Sequence, residues 1–360
     1  MTYNLEKKET EKAFLVYFSG EDSEHELAEM QELIRSAELE FVGSECVVLR
    51  EINPHSYIGS GKVEELKLKM QQLGVDVAIF DVGLTGSQLR NLQEELAVKV
   101  IDRTMLILDI FAGRAKSSEG KMQIELAQLK YTLPRLSGIS GSAGRFGSGG
   151  VGMRGPGETK LELDRRKIQE NIKSKEKDLK ILAEKRQLTR KQRKNNEYMV
   201  CLVGYSNAGK STLMNVFTKA GTYADNRLFA TLDVLTKRVW DEGVAYVLCD
   251  TVGFISALPH ELMQAFSATL EEVRDADLCL IILDASDKHK YEQLKVVEEE
   301  LAKQNVDKSK CVLVYNKCDL LNRMEVSVLD DFGYTCCKIE AKNNKGIVEL
   351  KSLIREQLSK

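Results

Sequence analysis

Gly204-Tyr205-Ser206-Asn207-Ala208-Gly209-Lys210-Ser211 has the spacing G-x-x-x-x-G-K-[ST], with the apolar run Val200–Val203 before it and an amphipathic stretch, Ser211–Lys219, after it. Strand, glycine-rich turn and helix form the context in which this pattern binds phosphate. The glycines let backbone N–H groups turn inward on an anion, and a helix N-terminus adds positive potential. Lys210 is then placed to reach the β- and γ-phosphates and the Ser211 hydroxyl to ligate Mg²⁺, with Thr212 beside it. Asp250-Thr251-Val252-Gly253 closes a later apolar run. A carboxylate at that point can hold Mg²⁺ through water, and the Gly253 N–H can sense a γ-phosphate. Asn316-Lys317-Cys318-Asp319 closes another run. Asp319 can accept both the N1–H and the exocyclic amine of guanine, and adenine offers neither in that arrangement. A pocket built around such a carboxylate rejects the wrong base by roughly 10⁴. Three motifs in this order, each at a strand end, predict a GTP-binding domain in which Lys210 and Gly253 act on the terminal phosphate.

The elements that must carry these residues are legible as short runs. Val200–Val203, Val244–Cys249, Leu278–Leu283 and Cys311–Tyr315 are bounded by Asp, Gly or Asn and mostly separated by amphipathic segments. Strands of a parallel sheet buried on both faces have this form. Residues 1–137 alternate in the same way. Ala13–Phe18, Phe41–Leu49 and Val75–Asp81 resemble strands, while Glu24–Ala37, Lys62–Leu73, Ser87–Ala97 and Lys121–Leu136 carry apolar residues at helical spacing. The expected fold class is α/β: an N-terminal α/β domain (1–137), a glycine-rich loop (138–157), a basic helical linker (158–196) and a P-loop GTPase domain (197–360) with a mostly parallel sheet and helices on both faces.

The two middle segments differ from their surroundings. Residues 138–157 hold nine of the 25 glycines, with Arg145, Phe146, Met153 and Arg154 as the large side chains. Such a stretch reads either as a flexible linker or as a loop ordered by a partner, its arginines and aromatic placed as for RNA. Residues 158–196 carry fourteen basic and seven acidic side chains. Their apolar stripe, Leu161, Ile168, Ile172, Leu179 and Leu182, is heptad-like and fits one long helix or an antiparallel pair. Taking those charges from the chain's 52 basic and 55 acidic residues leaves 38 against 48, so the near-neutral total of −3 averages a basic arm with an acidic remainder. A basic arm of this kind points to a polyanionic partner.

With 360 residues, 43% hydrophobic, the chain is long enough for two or three domains, and four prolines exclude a proline-rich linker protein. No run of eighteen apolar residues is present and the charged start MTYNLEKKETEK lacks a secretory pattern. A cytoplasmic location, in part membrane-peripheral, is expected. The eight cysteines form no C-x-x-C pair, and Cys201, Cys249, Cys279 and Cys311 sit in Val/Leu runs as small hydrophobes. Gly59-Ser60-Gly61-Lys62 imitates a phosphate loop without the full spacing. A turn capping the Lys62–Leu73 helix is favoured over a second nucleotide site.

The motif order resembles the translation-factor class of GTPases. That resemblance implies a switch threonine in Leu228-Phe229-Ala230-Thr231-Leu232-Asp233, with Thr231 a further Mg²⁺ ligand and catalytic residue, and Thr222 and Thr236 as rivals. It also implies a last base-contacting loop at Glu340-Ala341-Lys342, although relatives usually carry serine where Glu340 stands. Phe254 occupies the place of the water-orienting glutamine of Ras-like enzymes. Phenylalanine can neither accept a proton nor hold a water, so slow hydrolysis accelerated by a partner is expected. Asn207 resembles the asparagine that holds a monovalent cation in potassium-activated GTPases, which implies K⁺ as a further cofactor.

Arg154-Gly155-Pro156-Gly157-Glu158-Thr159-Lys160-Leu161-Glu162-Leu163-Asp164-Arg165-Arg166 resembles the signature of HflX-family GTPases, as do Tyr57–Leu66, Asp102-Arg103-Thr104 through Ala112, and Gln123–Arg135. The resemblance spans nearly the whole chain. It implies a helical linker pair and a monomeric factor that binds the large (50S) ribosomal subunit and its rRNA in the GTP form, splits stalled or idle ribosomes and leaves after hydrolysis. Many relatives continue into a small C-terminal domain. The sequence ends after the amphipathic segment Gly346–Leu358, so no such domain is expected. Two other readings stand beside this one: an RNA- or ribosome-binding module whose nucleotide is structural, and a regulatory GTPase that binds only proteins.

Overall fold

Ala13–Val16 and Val77–Phe80 carry only apolar side chains, none more than 1% exposed. Strands with no solvent-facing side belong in a parallel sheet covered on both faces, and the chain builds two such sheets. The computed structural model describes residues 10–19, 23–136, 160–193, 197–218, 235–251, 253–254 and 267–359. They fall into two compact units: Met1–Gly113 with Glu125–Glu176, and Arg114–Ile124 with Lys177–Lys360.

The first unit contains β1 (Lys12–Phe18), α1 (Ser23–Ser36), β2 (Glu40–Val47), α2 (Ser60–Leu73), β3 (Val77–Phe80), α3 (Gly86–Leu96), β4 (Lys99–Asp102) and α4 (Arg103–Arg114). Its sheet is wholly parallel in the order β2-β1-β3-β4. Strand alternation turns Phe14, Val16, Ala78 and Phe80 toward a cluster with Val63, Leu66 and Met70 of α2 and Leu92 and Leu96 of α3. Thr85 caps α3 in a reciprocal capping box with Gln88, satisfying two orphan N–H groups. β4 and α4 are absent from the sequence expectations. Four residues running directly into a helix leave no room for a period to declare itself.

Asp102, at the end of β4, is fully buried. It accepts hydrogen bonds from the Leu84 N–H (3.1 Å), the Met105 N–H (2.9 Å) and the Tyr131 hydroxyl of α5 (Ser118–Leu136). Arg135, one turn later on α5, lies 3.8 Å from the same carboxylate and packs its guanidinium over the Tyr131 ring. The segments Asp102–Thr104 and Gln123–Arg135 therefore meet around one buried charge.

α6 (Lys160–Arg193) is one 34-residue helix, about 51 Å long. This is the first of the two arrangements its sequence allowed, and Lys160–Arg193 does not fold back on itself as an antiparallel pair. Its half-buried positions include Ile168, Ile172, Lys175, Leu179, Leu182 and Arg186, a strict heptad seam. Lys175 pairs with Glu125 and Glu176 with Lys130 (2.8 Å), so the helical partner of α6 is α5.

The second unit continues with β5 (Tyr198–Gly204), α7 (Lys210–Thr218), β6 (Leu235–Asp241), β7 (Val244–Asp250), α8 (Ser267–Arg274), β8 (Leu278–Asp284), α9 (Lys290–Lys303), β9 (Cys311–Asn316), α10 (Arg323–Ser327), β10 (Thr335–Lys338) and α11 (Ile347–Leu358). Its sheet runs β10-β9-β8-β5-β7-β6, parallel except for the antiparallel edge strand β6. After β5 the chain builds first to one side, through β6 and β7, and then to the other, through β8 to β10. β5 is therefore the switch point whose carboxyl end opens a crevice. Gly204, Asp250, Asp284 and Asn316 all end parallel strands on that edge. Cys249, Cys201, Cys279 and Cys311 stand in register across β7, β5, β8 and β9, buried and free. Among the described residues no helix is long and apolar enough to cross a membrane.

Candidate nucleotide site

The phosphate loop leaves β5 at Gly204 and enters α7 at Lys210. Asn207 takes a left-handed conformation (φ 62°) at an exposed position, and Gly209 a further one (φ 97°). Gly209 has no tolerance for a side chain: a β-carbon there would stand 2.2 Å from Asn316 Nδ2. The loop thus closes around its own backbone, with Tyr205, Ser206 and Ala208 buried. Lys210 is 6% exposed and its ammonium donates to the carbonyls of Gly204 (3.0 Å) and Tyr205 (2.8 Å). Burial pushes its pKa down to about 8, against the opposing pull of Asp250. A negatively charged ligand would raise it again.

Ser211 Oγ donates to Asp250 Oδ2 at 2.8 Å, and Asp250 is fully buried at the end of β7. A hydroxyl and a carboxylate in contact at the foot of a phosphate loop are the hard oxygen donors that Mg²⁺ takes. Thr212 is half-buried one residue further along α7, and Thr251 donates its hydroxyl to the Leu202 carbonyl at 2.6 Å, which ties the strand end to β5. Gly253 comes so near the phosphate loop that a β-carbon would sit 2.7 Å from Ser206 Cα and 3.0 Å from Lys210 Nζ. Phe254 is stitched to the loop by its backbone, donating to the Gly204 carbonyl (3.1 Å) and accepting from the Ser206 N–H (2.6 Å). Its ring is buried.

Asn316 joins the Asn316–Asp319 segment to the phosphate loop. Its Nδ2 donates to the Ala208 carbonyl (3.0 Å) and its Oδ1 accepts from the Ala341 N–H (3.1 Å), with the side chain 2% exposed. Lys317 (φ 60°) turns the chain and pairs with Asp284 at 2.7 Å. Asp319 is exposed and borders an open groove of about 470 Å³ with Arg323, Lys338, Glu340 and Lys345. Glu340 is engaged by Asn343 and Lys345, which hold its carboxyl below the usual range. Ala341 is buried against Asn316 and Lys342 is exposed.

Lys210, Ser211, Asp250, Gly253, Asn316 and Ala341 are thus linked by direct contacts in one unit. Phe229, Ala230, Thr231, the rival Thr222 and Val252 lie outside the described residues, as do Arg145, Arg154 and the glycine-rich loop. The rival Thr236 lies on β6, paired across to Cys249. Gly59 is the N-cap of α2, and the Lys62 ammonium in its first turn is taken up by Glu45 (2.7 Å) and Glu65 (2.8 Å). Asp284, the partner of Lys317, belongs to none of the sequence motifs; its one signal is that it closes the apolar run Leu278–Leu283. No group of three metal-ligating side chains forms among the described residues.

Comparisons with known proteins bear on all of this. Three family descriptions match in series: "GTP-binding GTPase N-terminal" over residues 24–112, "GTP-binding GTPase Middle Region" over 114–193 and "50S ribosome-binding GTPase" over 199–317. GTPase HflX of Caldanaerobacter subterraneus subsp. tengcongensis is 46% identical over 98% of this chain and 82% of its own. GTPase HflX of Escherichia coli is 40% identical over 96% of this chain and 82% of its own. A GTP-binding protein from the archaeon Sulfolobus solfataricus, solved with GDP, shares the fold at 23% identity, with a TM-score of 0.52 over 97% of this chain and 99% of that one.

Proposed function

The chain belongs to the HflX family of GTPases, and from that premise we propose that it hydrolyses GTP as a switch that binds the large ribosomal subunit and separates stalled or idle ribosomes. The observation that carries the switch is the fit of Gly253 against Ser206 and Lys210. A backbone N–H there is well placed to register the presence of a terminal phosphate, and loss of that phosphate releases it.

In this reading Lys210 exchanges the Gly204 and Tyr205 carbonyls for the β- and γ-phosphates of GTP. Ser211 and Asp250 are the residues that would hold Mg²⁺, Asp250 through water, with Thr231 as a further ligand. The metal would neutralise charge on the phosphate oxygens. Asp319 selects guanine, and Asn316 keeps its loop in register with the phosphates. The Phe254 ring is buried and its backbone tied down, so no side chain at that position positions the attacking water. Slow turnover alone and stimulation by the ribosome follow. The exposed Asn207 supports K⁺ as an added cation, which predicts faster hydrolysis in K⁺ than in Na⁺ at constant ionic strength.

The basic excess of residues 158–196 supports rRNA as the polyanion that the linker meets. The deciding measurement is GTP turnover with and without large subunits, in wild type and in Lys210→Ala. Stimulation present in the first and lost in the second is expected. Equal turnover with and without subunits would reject the switch.

A further inference from the structure

Trp240 is the chain's single tryptophan, and it stands 70% exposed on the edge strand β6. Strand alternation sends Val239 into the core cluster and turns Arg238 and Trp240 together to the opposite face. The cross-strand neighbour of Trp240 is Ala245, whose methyl group is too small to cover an indole. Arg238 lies about 7 Å away along the strand, with 65% of its side chain exposed, and reaches Glu197 at 2.6 Å. Glu197 is the residue before β5, four positions after the last residue of α6, so the helix end is at most about 14 Å distant. That helix ends in Arg190-Lys191-Gln192-Arg193, followed by Lys194. All of these residues belong to the second unit.

We propose that the Arg238–Trp240 face of β6 is a platform for unpaired RNA, on which Trp240 stacks a base and Arg238 takes a neighbouring phosphate. An indole accepts any base, because every base has a π-face. Arg238 keeps 65% of its side chain exposed while Glu197 keeps 20%, and an ion pair open to solvent on the arginine side is worth little, so Arg238 can turn from Glu197 to a phosphate. Four basic residues within five positions at the end of α6 favour a polyanion over a protein strand as the occupant of this edge. The inference deepens the ribosome-binding reading and rests on it for which RNA is met, though not for the chemistry of the contact.

The sole tryptophan is its own reporter. Titrating the full chain with a single-stranded RNA of about 12 nucleotides is expected to quench Trp240 fluorescence. By anisotropy of the same RNA carrying a label, W240A should bind about tenfold more weakly, W240F should keep most of the affinity, and R238A should lower the salt slope by about one. GDP affinity, which these surface residues do not touch, serves as the fold control. Sedimentation with purified large subunits runs alongside. Quenching without co-sedimentation of the wild type would support the platform and remove the ribosome reading. Co-sedimentation without quenching, unchanged in W240A and R238A, would overturn the platform and leave the ribosome reading intact. Subunit binding lost in W240A with no quenching would assign this face to a protein component and overturn the RNA assignment.

Discussion

The side-chain amide of Asn316 stands 3.0 Å from the carbonyl oxygen of Ala208, bridging 108 residues of sequence between the Asn316–Asp319 segment and the phosphate loop. Its other end accepts from the Ala341 N–H, so one side chain ties Asn316–Asp319, the phosphate loop and the Glu340–Lys342 loop together. Asn316→Ala leaves two buried backbone groups without these partners, at about 1–3 kcal/mol each. GDP and GTP affinities should both fall at least thirtyfold by calorimetry. A loss under threefold would show that the bridge does not hold the site.

Gly209 and Asn316 should be coupled. Gly209→Ala adds a β-carbon 2.2 Å from Asn316 Nδ2 at a residue with φ 97°. The backbone strain alone costs about 1–3 kcal/mol, and the clash adds to it. In an Asn316→Ala background the clash disappears and the strain remains. A double-mutant cycle on GDP affinity should therefore be non-additive, with Gly209→Ala less damaging in the second background.

Lys210 should make nucleotide affinity pH-dependent. Burial holds the free ammonium near 8, below the usual lysine value. Bound phosphates favour the charged form, so the complex keeps a proton that the free protein has lost at higher pH. GTP affinity should fall as pH rises above about 8, approaching tenfold per unit, with proton uptake measurable in buffers of different ionisation enthalpy. Lys210→Gln should abolish the uptake.

Asp319→Asn should weaken GTP binding and favour xanthosine triphosphate, whose base offers a carbonyl where guanine offers an amine. Competition between the two nucleotides reads this directly. Unchanged GTP affinity would remove Asp319 from base recognition.

In the first unit, Asp102→Ala strips three hydrogen-bond donors of a fully buried acceptor. Breaking such a charged hub costs about 3–5 kcal/mol. Urea unfolding should show that loss, while GDP binding by the second unit stays within twofold.

The order and spacing of Gly204–Ser211, Asp250–Gly253 and Asn316–Asp319 point by themselves to a GTPase, the class to which the chain's family belongs. In the proposed site that chemistry falls to backbone N–H groups, one ammonium and one carboxylate, roles that each call for a particular residue type. The buried runs that became β5, β7, β8 and β9 were legible for a related reason: a strand covered on both faces has to be apolar throughout. Tertiary structure decided what depends on contacts distant in sequence. That Asn316 braces Ala208, that Gly209 is glycine because of Asn316, and that α6 pairs with α5 and not with itself are relations between chain positions far apart. The antiparallel edge strand β6 was invisible in periodicity because its outward face carries Arg238 and Trp240. An edge strand is shaped by what it must leave uncovered as much as by what it buries, and only the packed sheet reveals which strand is the edge.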